Sequence, residues 1–274
     1  MINFLSKIKH ILLKRHVYGW TSALRVLPDL IVIGVVRSGT TSLYHYLSQH
    51  PSISKSSYDE LGYFDSNYKL GLNWYKSFFP SIFEKKKIIE KSGKFLTYDV
   101  TPFYIYNEKS PQRIHQILPN SKLIVILRNP VDRSYSNYFI SNQEKKFEEI
   151  IADEKKILNK INKNNTDEYY NFVHTSMLAR GFYAEQLENW YKLFSKDQIL
   201  IIKSEEFATN TNKIMNIIFD FLGLPHYDIP DNSKKNKIHY EVMKKETRID
   251  LIEFFRPYNK KLYSLIGQNF DWEH

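Results

Sequence analysis

The 274-residue chain contains no cysteine. Disulfide bridges and thiolate metal sites both need cysteine, so neither can form. The absence favours a reducing compartment, and we expect a cytoplasmic protein. Long apolar runs are also missing: the longest, at 30–36 and 123–127, are far below the ~18 residues that cross a bilayer.

Acidic residues are outnumbered by basic ones. The formal net charge is +9, with a pI near 9.3. Such an excess suggests an anionic partner, which could be nucleic acid, an acidic membrane surface, a polyanion or a phosphorylated small molecule. Composition does not choose among these. The length fits one α/β-sized domain with insertions.

Residues 1–20 are basic and place Leu5, Ile8, Ile11 and Leu12 at helical spacing. Lysine and arginine interrupt this segment too often for the apolar core of a signal peptide. Two interpretations stay open. The segment, which we bound at residue 28, is either a helix packed on the domain or a peripheral helix on the anionic inner face of a membrane.

Short β-branched runs alternate with helical patterns from residue 29 to residue 274, which is typical of βαβ units. Four strands are predicted, at 30–34, 94–100, 122–127 and 198–203. Helices with clear starts or ends are predicted at 110–118, 129–140 and 211–223. The pattern predicts an α/β fold, with one domain built on a central parallel sheet that has helices on both faces.

A charged segment at about 142–172 interrupts this alternation. Lysines and glutamates are interleaved there with few apolar residues, and an Asn-rich stretch follows. Such a pattern is typical of a solvated helix. We therefore predict a charged helical insertion on the surface of the domain.

The stretch 34-GVVRSGTT-41, between the first strand and the next helix, has the glycine spacing of a P-loop. A strand, a glycine-containing turn and a helix start aim several backbone N–H groups at one point. Ser38, Thr40 and Thr41 offer hydroxyls as further donors, so we predict phosphate binding. The loop nevertheless has Thr40 in place of the usual lysine, and a cation, Arg37, three residues earlier.

The strand at 122–127 separates this loop further from those of NTPases. Such enzymes carry an aspartate at the end of a neighbouring strand to hold magnesium. Here the strand is followed by Arg128. A site with Arg37 and Arg128 and no obvious carboxylate needs no metal and suits a ligand with phosphates at two places. A nucleotide with a 5′ and a 3′ phosphate meets that demand.

Two motifs resemble those of the sulfotransferases that use 3′-phosphoadenylyl sulfate (PAPS). The stretch 34-GVVRSGTT-41 resembles their 5′-phosphosulfate loop, and 124-IVILRNPVDRSYSNY-138 resembles their 3′-phosphate motif. The likeness is to the carbohydrate branch, the heparan sulfate N- and 3-O-sulfotransferases and their bacterial relatives. Other segments similar to that branch lie at 59–65, 73–80, 97–104, 180–194 and 255–272. The matches cover roughly residues 30 to 272, with about 142–172 matched poorly.

The resemblance implies a P-loop-type enzyme that moves a sulfuryl group from PAPS to a hydroxyl or amine of a saccharide or glycolipid. No metal is implied, and no nucleic acid beyond the donor nucleotide. By the same likeness Arg128 and Ser136 bind the 3′ phosphate. The residues implied at the 5′ phosphosulfate are Arg37, Ser38, Gly39, Thr40 and Thr41.

Catalytic roles also follow from the resemblance. Glu60 aligns with the family's catalytic carboxylate, and we expect the aromatic residues after it to shield it and raise its pKa. Arg37 stands where most carbohydrate sulfotransferases have lysine; it can hold a phosphosulfate but gives up a proton less readily. The stretch 234-KKNKIHYEVM-243 resembles a late family loop, in which Lys235 and Lys237 contact the phosphosulfate and Lys235 shares the catalytic task.

Aromatic residues near Glu60 are expected to stack on sugar rings of the acceptor. The expected acceptor contacts are Tyr63, Phe64, Trp74, Asp99, Phe103 and Tyr104. Asp99 stands where the family has glutamate. Val100 stands where animal heparan enzymes have a substrate-contacting lysine, so the resemblance does not extend to a heparan-like acceptor.

Two other function classes stay open. A P-loop kinase-like NTP enzyme with a degenerate loop would bind magnesium-ATP, although Thr40 and Arg128 argue against it. A non-catalytic polyanion-binding protein would explain the net charge, and its salt-sensitive binding would survive Glu60→Ala.

Overall fold

A computed structural model of the chain describes residues 18–141, 143–162, 165–233 and 241–273. Most of the predicted N-terminal helix lies outside the described residues. The same holds for Lys235 and Lys237 of the late loop. In the part that is described, no helix combines the length and the apolar character needed to span a bilayer.

Five parallel strands form the central sheet, in the order β2-β3-β1-β4-β5. They are β1 (Leu30–Gly34), β2 (Ile53–Lys55), β3 (Leu96–Val100), β4 (Lys122–Leu127) and β5 (Ile199–Lys203). All four predicted strands are confirmed within two residues. The fifth, β2, was not predicted, because three residues at a sheet edge are too few to show a period.

The strand order determines where a ligand can bind. The connection that leaves β1 runs to β2 at one edge, whereas the connection that leaves β3 crosses to β4 on the other side of β1. Connections that diverge in this way open a crevice at the carboxyl ends of the strands. The loops after β1, β3 and β4 meet at this crevice.

Helices cover both faces of the sheet, as predicted. They are α1 (Thr40–Leu47), α2 (Leu72–Lys76), α3 (Ile82–Ser92), α4 (Ser110–Ile117), α5 (Pro130–Tyr138), α6 (Phe147–Leu158), α7 (Thr166–Thr175), α8 (Tyr183–Tyr191), α9 (Ser204–Thr209), α10 (Thr211–Leu222) and α11 (Lys245–Ile266). In β1, Leu30 and Val32 join a cluster with α1 and α10, whereas Ile31 and Ile33 join a cluster with α5, α8 and α11. This alternation buries the strand on both faces.

The charged insertion consists of α6 and α7. The charge of this segment predicted a solvated helix. Helix α6 is only partly solvated, because Phe147 and Ile151 belong to the main core. Buried Glu154 accepts hydrogen bonds from the Ser176 hydroxyl at 2.6 Å and the Met177 N–H at 2.6 Å. The insertion is thereby fastened to the segment that leads into α8.

Candidate donor and acceptor site

The loop between β1 and α1 has the strand-turn-helix form that its sequence predicts. Helix α1 begins at Thr40, so Thr40 and Thr41 form its first turn, whose N–H groups have no partner within the helix. Gly39, just before it, has a φ of 100°, a conformation that favours glycine. The dipole of α1 and the N–H groups of its first turn together provide a site for an anion.

Hydrogen bonds hold the shape of this loop. The Ser38 hydroxyl donates to the Val35 carbonyl at 2.5 Å. The Ser204 hydroxyl, directly after β5, donates to the Ser38 carbonyl at 2.8 Å. Arg37 has a φ of 71°, which is uncommon for a residue with a Cβ and is found where surrounding structure enforces it.

The residues predicted at the two ends of the donor are in direct contact. Arg37 Nε donates to the Ser136 hydroxyl at 3.1 Å, and Arg128 Nη1 donates to the Arg37 carbonyl at 2.9 Å. Ser136 is buried, and both arginines are half-buried. The carboxyl ends of β1 and β4 therefore gather two cations and a hydroxyl at one place.

Residues that the sequence analysis missed hold the Arg128 segment. The Tyr183 hydroxyl donates to the Arg128 carbonyl at 2.8 Å, and the Asn129 N–H donates to Glu205 Oε1 at 2.9 Å. Asn129 also caps α5, accepting from the Val131 N–H at 3.0 Å. A signal for Glu205 was available, since it closely follows β5, at the edge where parallel sheets bind ligands.

Glu60 lies beside the carboxyl end of β3. Its N–H donates to the Val100 carbonyl at 2.8 Å, and its φ is 54°. Its side chain is exposed. The expected aromatic shielding of Glu60 is therefore wrong, because the aromatic residues that follow it fold into the core.

Most of the aromatic residues predicted to contact an acceptor are core residues. Tyr63, Phe64 and Trp74 are 3%, 0% and 3% exposed, and Tyr104 is fully buried. The Tyr63 ring stacks on Tyr75 with 4.4 Å between ring centroids. These rings have no free face for a sugar, so the prediction is wrong for all four.

Asp99 is also buried, with no exposed surface. Its Oδ2 accepts from the hydroxyls of Tyr75 at 2.9 Å and Tyr104 at 3.0 Å, and its Oδ1 accepts from the Thr101 hydroxyl at 2.9 Å. Burial raises the pKa of Asp99 to about 6, against the opposing effect of these hydrogen bonds. The structure corrects its predicted role: Asp99 supports the site from within and does not face the acceptor.

A cleft of about 580 Å³ opens beside Glu60. Of the predicted acceptor contacts, Phe103 lines it and is half-buried. Lys109 and His174 also line it, together with Asp65, whose pKa is raised by burial. The volume suits a small molecule or one end of a larger one.

Comparisons with known proteins identify the family and the fold. A family model described as the sulfotransferase domain matches residues 27–258. The chain is similar to the membrane-associated sulfotransferase kil1 of Dictyostelium discoideum, with 30% identity over 90% of this chain and 67% of that protein. It is 29% identical to mouse (Mus musculus) heparan sulfate glucosamine 3-O-sulfotransferase 5, over 90% of this chain and 74% of that one. A solved sulfotransferase from Alicyclobacillus acidocaldarius has the same fold, with a TM-score of 0.69 and 24% identity over 91% of this chain and all of the other.

Proposed function

The chain belongs to the sulfotransferase domain family, whose members use PAPS, and from this premise we propose that it sulfates a hydroxyl or amine of a saccharide or glycolipid. The observation that carries the proposal is the contact of Arg37 with Ser136, beside Arg128. It joins the two regions that a donor with a 3′ phosphate and a 5′ phosphosulfate would occupy. Relatives named for heparan sulfate support a saccharide as the acceptor.

In this proposal the donor lies across the crevice. Arg128 and Ser136 bind the 3′ phosphate, and the loop residues bind the phosphosulfate through Arg37, Ser38, Gly39, Thr40 and Thr41. A serine hydroxyl can accept one hydrogen bond while it donates another. Ser136 can therefore contact Arg37 and a phosphate together. Lys235 and Lys237 complete the phosphosulfate contacts.

Glu60 takes the proton of the acceptor hydroxyl or amine in the proposed reaction. The freed oxygen or nitrogen attacks sulfur in line, and the bond from sulfur to the 5′ phosphate oxygen breaks. The electron pair of that bond stays on the leaving 3′,5′-adenosine bisphosphate. Arg37 stabilises this charge as a cation and, unlike a lysine, gives up no proton. Lys235 shares that task.

Family membership argues against both alternatives, the NTP enzyme and the non-catalytic polyanion binder. For location, we propose a cytoplasmic protein with peripheral contact to an anionic membrane through residues 1–20. A relative named as membrane-associated supports this contact. Trp20, within that segment, is 91% exposed, as a membrane-facing side chain would be.

Calorimetric titration with 3′,5′-adenosine bisphosphate tests the donor site. We expect the bisphosphate to bind equally well with and without a chelator, and magnesium-ATP to bind weakly. Arg128→Ala should weaken binding by at least about tenfold, because it removes a charge-assisted hydrogen bond. Preference for magnesium-ATP would contradict the proposal.

The proposed base is tested by transfer of labelled sulfate from PAPS to a panel of saccharides. Glu60→Gln should lower kcat by at least about 100-fold while bisphosphate affinity is unchanged. Asp59→Asn, the adjacent exposed carboxylate, is the matched control and should keep most of the activity. Full activity in Glu60→Gln would remove Glu60 as the base.

A further inference from the structure

A groove of about 230 Å³ lies next to the cleft that contains Glu60. The turn at Tyr104–Tyr106, helix α7 and helix α8 form its sides. Asn107 and Tyr170 line both the groove and the cleft, and Asn107 Nδ2 donates to the Tyr170 hydroxyl at 2.7 Å. The two cavities thus share a wall, so an acceptor that occupies both must pass over Asn107 and Tyr170.

The surface of the groove suits a sugar ring. The rings of Tyr169 and Tyr170 are half-buried and offer aromatic surface. Ile105, Val173 and Phe182 also line the groove, but they are almost fully buried and form only its floor. A sugar has an apolar ring face and a polar edge. Half-exposed aromatic rings beside polar groups can pack against both.

Two buried polar atoms on the lining residues have no hydrogen-bond partner in the described part of the chain. They are the Tyr106 hydroxyl and Gln186 Oε1, on side chains that are each 8% exposed. A buried polar group without a partner destabilises the folded protein. Both residues line the groove, so these unpaired atoms lie next to its surface.

The charges that line the groove argue against a polyanion. Glu108 and Glu185 are there with a single lysine, Lys192. The Tyr169 hydroxyl donates to Glu185 Oε2 at 2.8 Å, which keeps that carboxylate at the groove. Carboxylates repel sulfated and uronate sugars.

We propose that the groove is a second acceptor subsite, which holds an uncharged sugar unit of the molecule that is sulfated at Glu60. The proposal rests on the sulfotransferase function proposed above. Helix α7, which contributes Tyr169, Tyr170 and Val173, lies partly in the segment that resembles the family least. In this proposal the subsite selects for an extended neutral saccharide.

The test fills the groove and measures glycan binding. Asn189 lines the groove. Its amide donates to the Glu108 carbonyl at 3.2 Å, so a change at Asn189 also removes that hydrogen bond. Asn189→Trp would place a large ring in the groove, and Leu193→Trp adds the same ring just beyond α8, outside the lining. Both variants and the wild type are applied, with saturating 3′,5′-adenosine bisphosphate, to an array of neutral, uronate and sulfated glycans.

We expect the wild type to retain neutral glycans of several units better than single sugars. Asn189→Trp should reduce that retention by at least about tenfold, whereas Leu193→Trp should not. Glu108→Lys, a change at an exposed position, should raise retention of uronate glycans relative to neutral ones. Glu108→Lys tests the charge selection even if Asn189→Trp does not fold.

Three outcomes would overturn the subsite. They are wild-type retention confined to uronate or sulfated glycans, retention of neutral glycans that Asn189→Trp leaves unchanged, and stronger retention of alkyl glycosides than of longer sugars. Bisphosphate titration of the same samples separates these from failure of the proposed function. If the proposed function were wrong, 3′,5′-adenosine bisphosphate would not bind the wild type, whereas failure of the subsite alone would leave that binding intact.

Discussion

Asp99 shows how one buried residue supports, from within the core, the loop that carries the predicted base Glu60. The Tyr104 hydroxyl donates to Asp99 and accepts from the Phe64 N–H at 3.3 Å. Through this chain of hydrogen bonds the carboxylate holds the segment that follows Glu60. This arrangement removes the carboxyl group of Asp99 from solvent. Because burial disfavours the charged form, the pKa of Asp99 rises.

We expect Asp99 to contribute a specific pH dependence to stability. Because burial raises its folded-state pKa from 3.8 to about 6, the folded protein binds this proton more tightly than the unfolded chain does. The contribution is therefore most favourable below 3.8 and is lost as pH rises through about 6. The whole change is about 3 kcal/mol.

Urea unfolding of the wild type and of Asp99→Asn between pH 4 and pH 7 measures this contribution. The free-energy difference between the two proteins should change across that range as Asp99 ionises. Asp197→Asn, on an exposed turn, is the control for the effect of an Asp-to-Asn change away from the site. A constant difference for Asp99→Asn would contradict the assignment.

At the scale of elements, the donor site depends on how α5 packs. Gly181 lies where a Cβ would come within 2.8 Å of Phe255 on α11 and within 2.9 Å of Pro130, the first residue of α5. The absence of a side chain at Gly181 thus lets α5 and α11 approach each other. Arg128 lies just before α5, so this packing also positions the predicted 3′-phosphate site.

Gly181→Ala should lower the free energy of unfolding by about 1–3 kcal/mol through overpacking. Phe255→Leu should partly restore stability in the double variant, because the shorter side chain leaves room for the added methyl group. Urea unfolding of the two single variants and the double variant gives the coupling energy. Additive losses would show that the clash with Phe255 is not the cause.

For the whole molecule, exposed aromatic and basic side chains are found both at Trp20 and on α3. Arg25 forms an antiparallel bridge with Ser81, the residue just before α3. Trp20 is 91% exposed and Phe83 is 67% exposed, and all of Lys85–Lys87 are exposed. Aromatic rings beside lysines complement a bilayer with anionic headgroups.

The protein should therefore sediment with vesicles that contain phosphatidylglycerol and remain in solution with phosphatidylcholine alone. Added salt should weaken the binding. Replacing both Trp20 and Phe83 with alanine should reduce it by about tenfold or more. Ile217→Ala, an exposed apolar residue on α10, is the matched control. Equal binding to both vesicle types would contradict an electrostatic contact.

Features that depend only on residues close together in the sequence were predictable from it. The apolar runs of β1, β4 and β5 and the Asn129-Pro130 start of α5 need no distant partner to be recognised. The phosphate loop belongs to this group as well. Its strand, turn and helix start are consecutive, so the chain alone determines that N–H groups converge there.

Tertiary structure decided the rest, because residue type does not show which partner a side chain will find. An aromatic residue packs equally well in a core or against a sugar, and only the fold placed Tyr63 inside and Tyr170 at a groove. The contact between Arg37 and Ser136 joins residues 99 positions apart. Sequence therefore determined the family, four of the five strands and the donor loop, whereas the fold decided which side chains line a cavity.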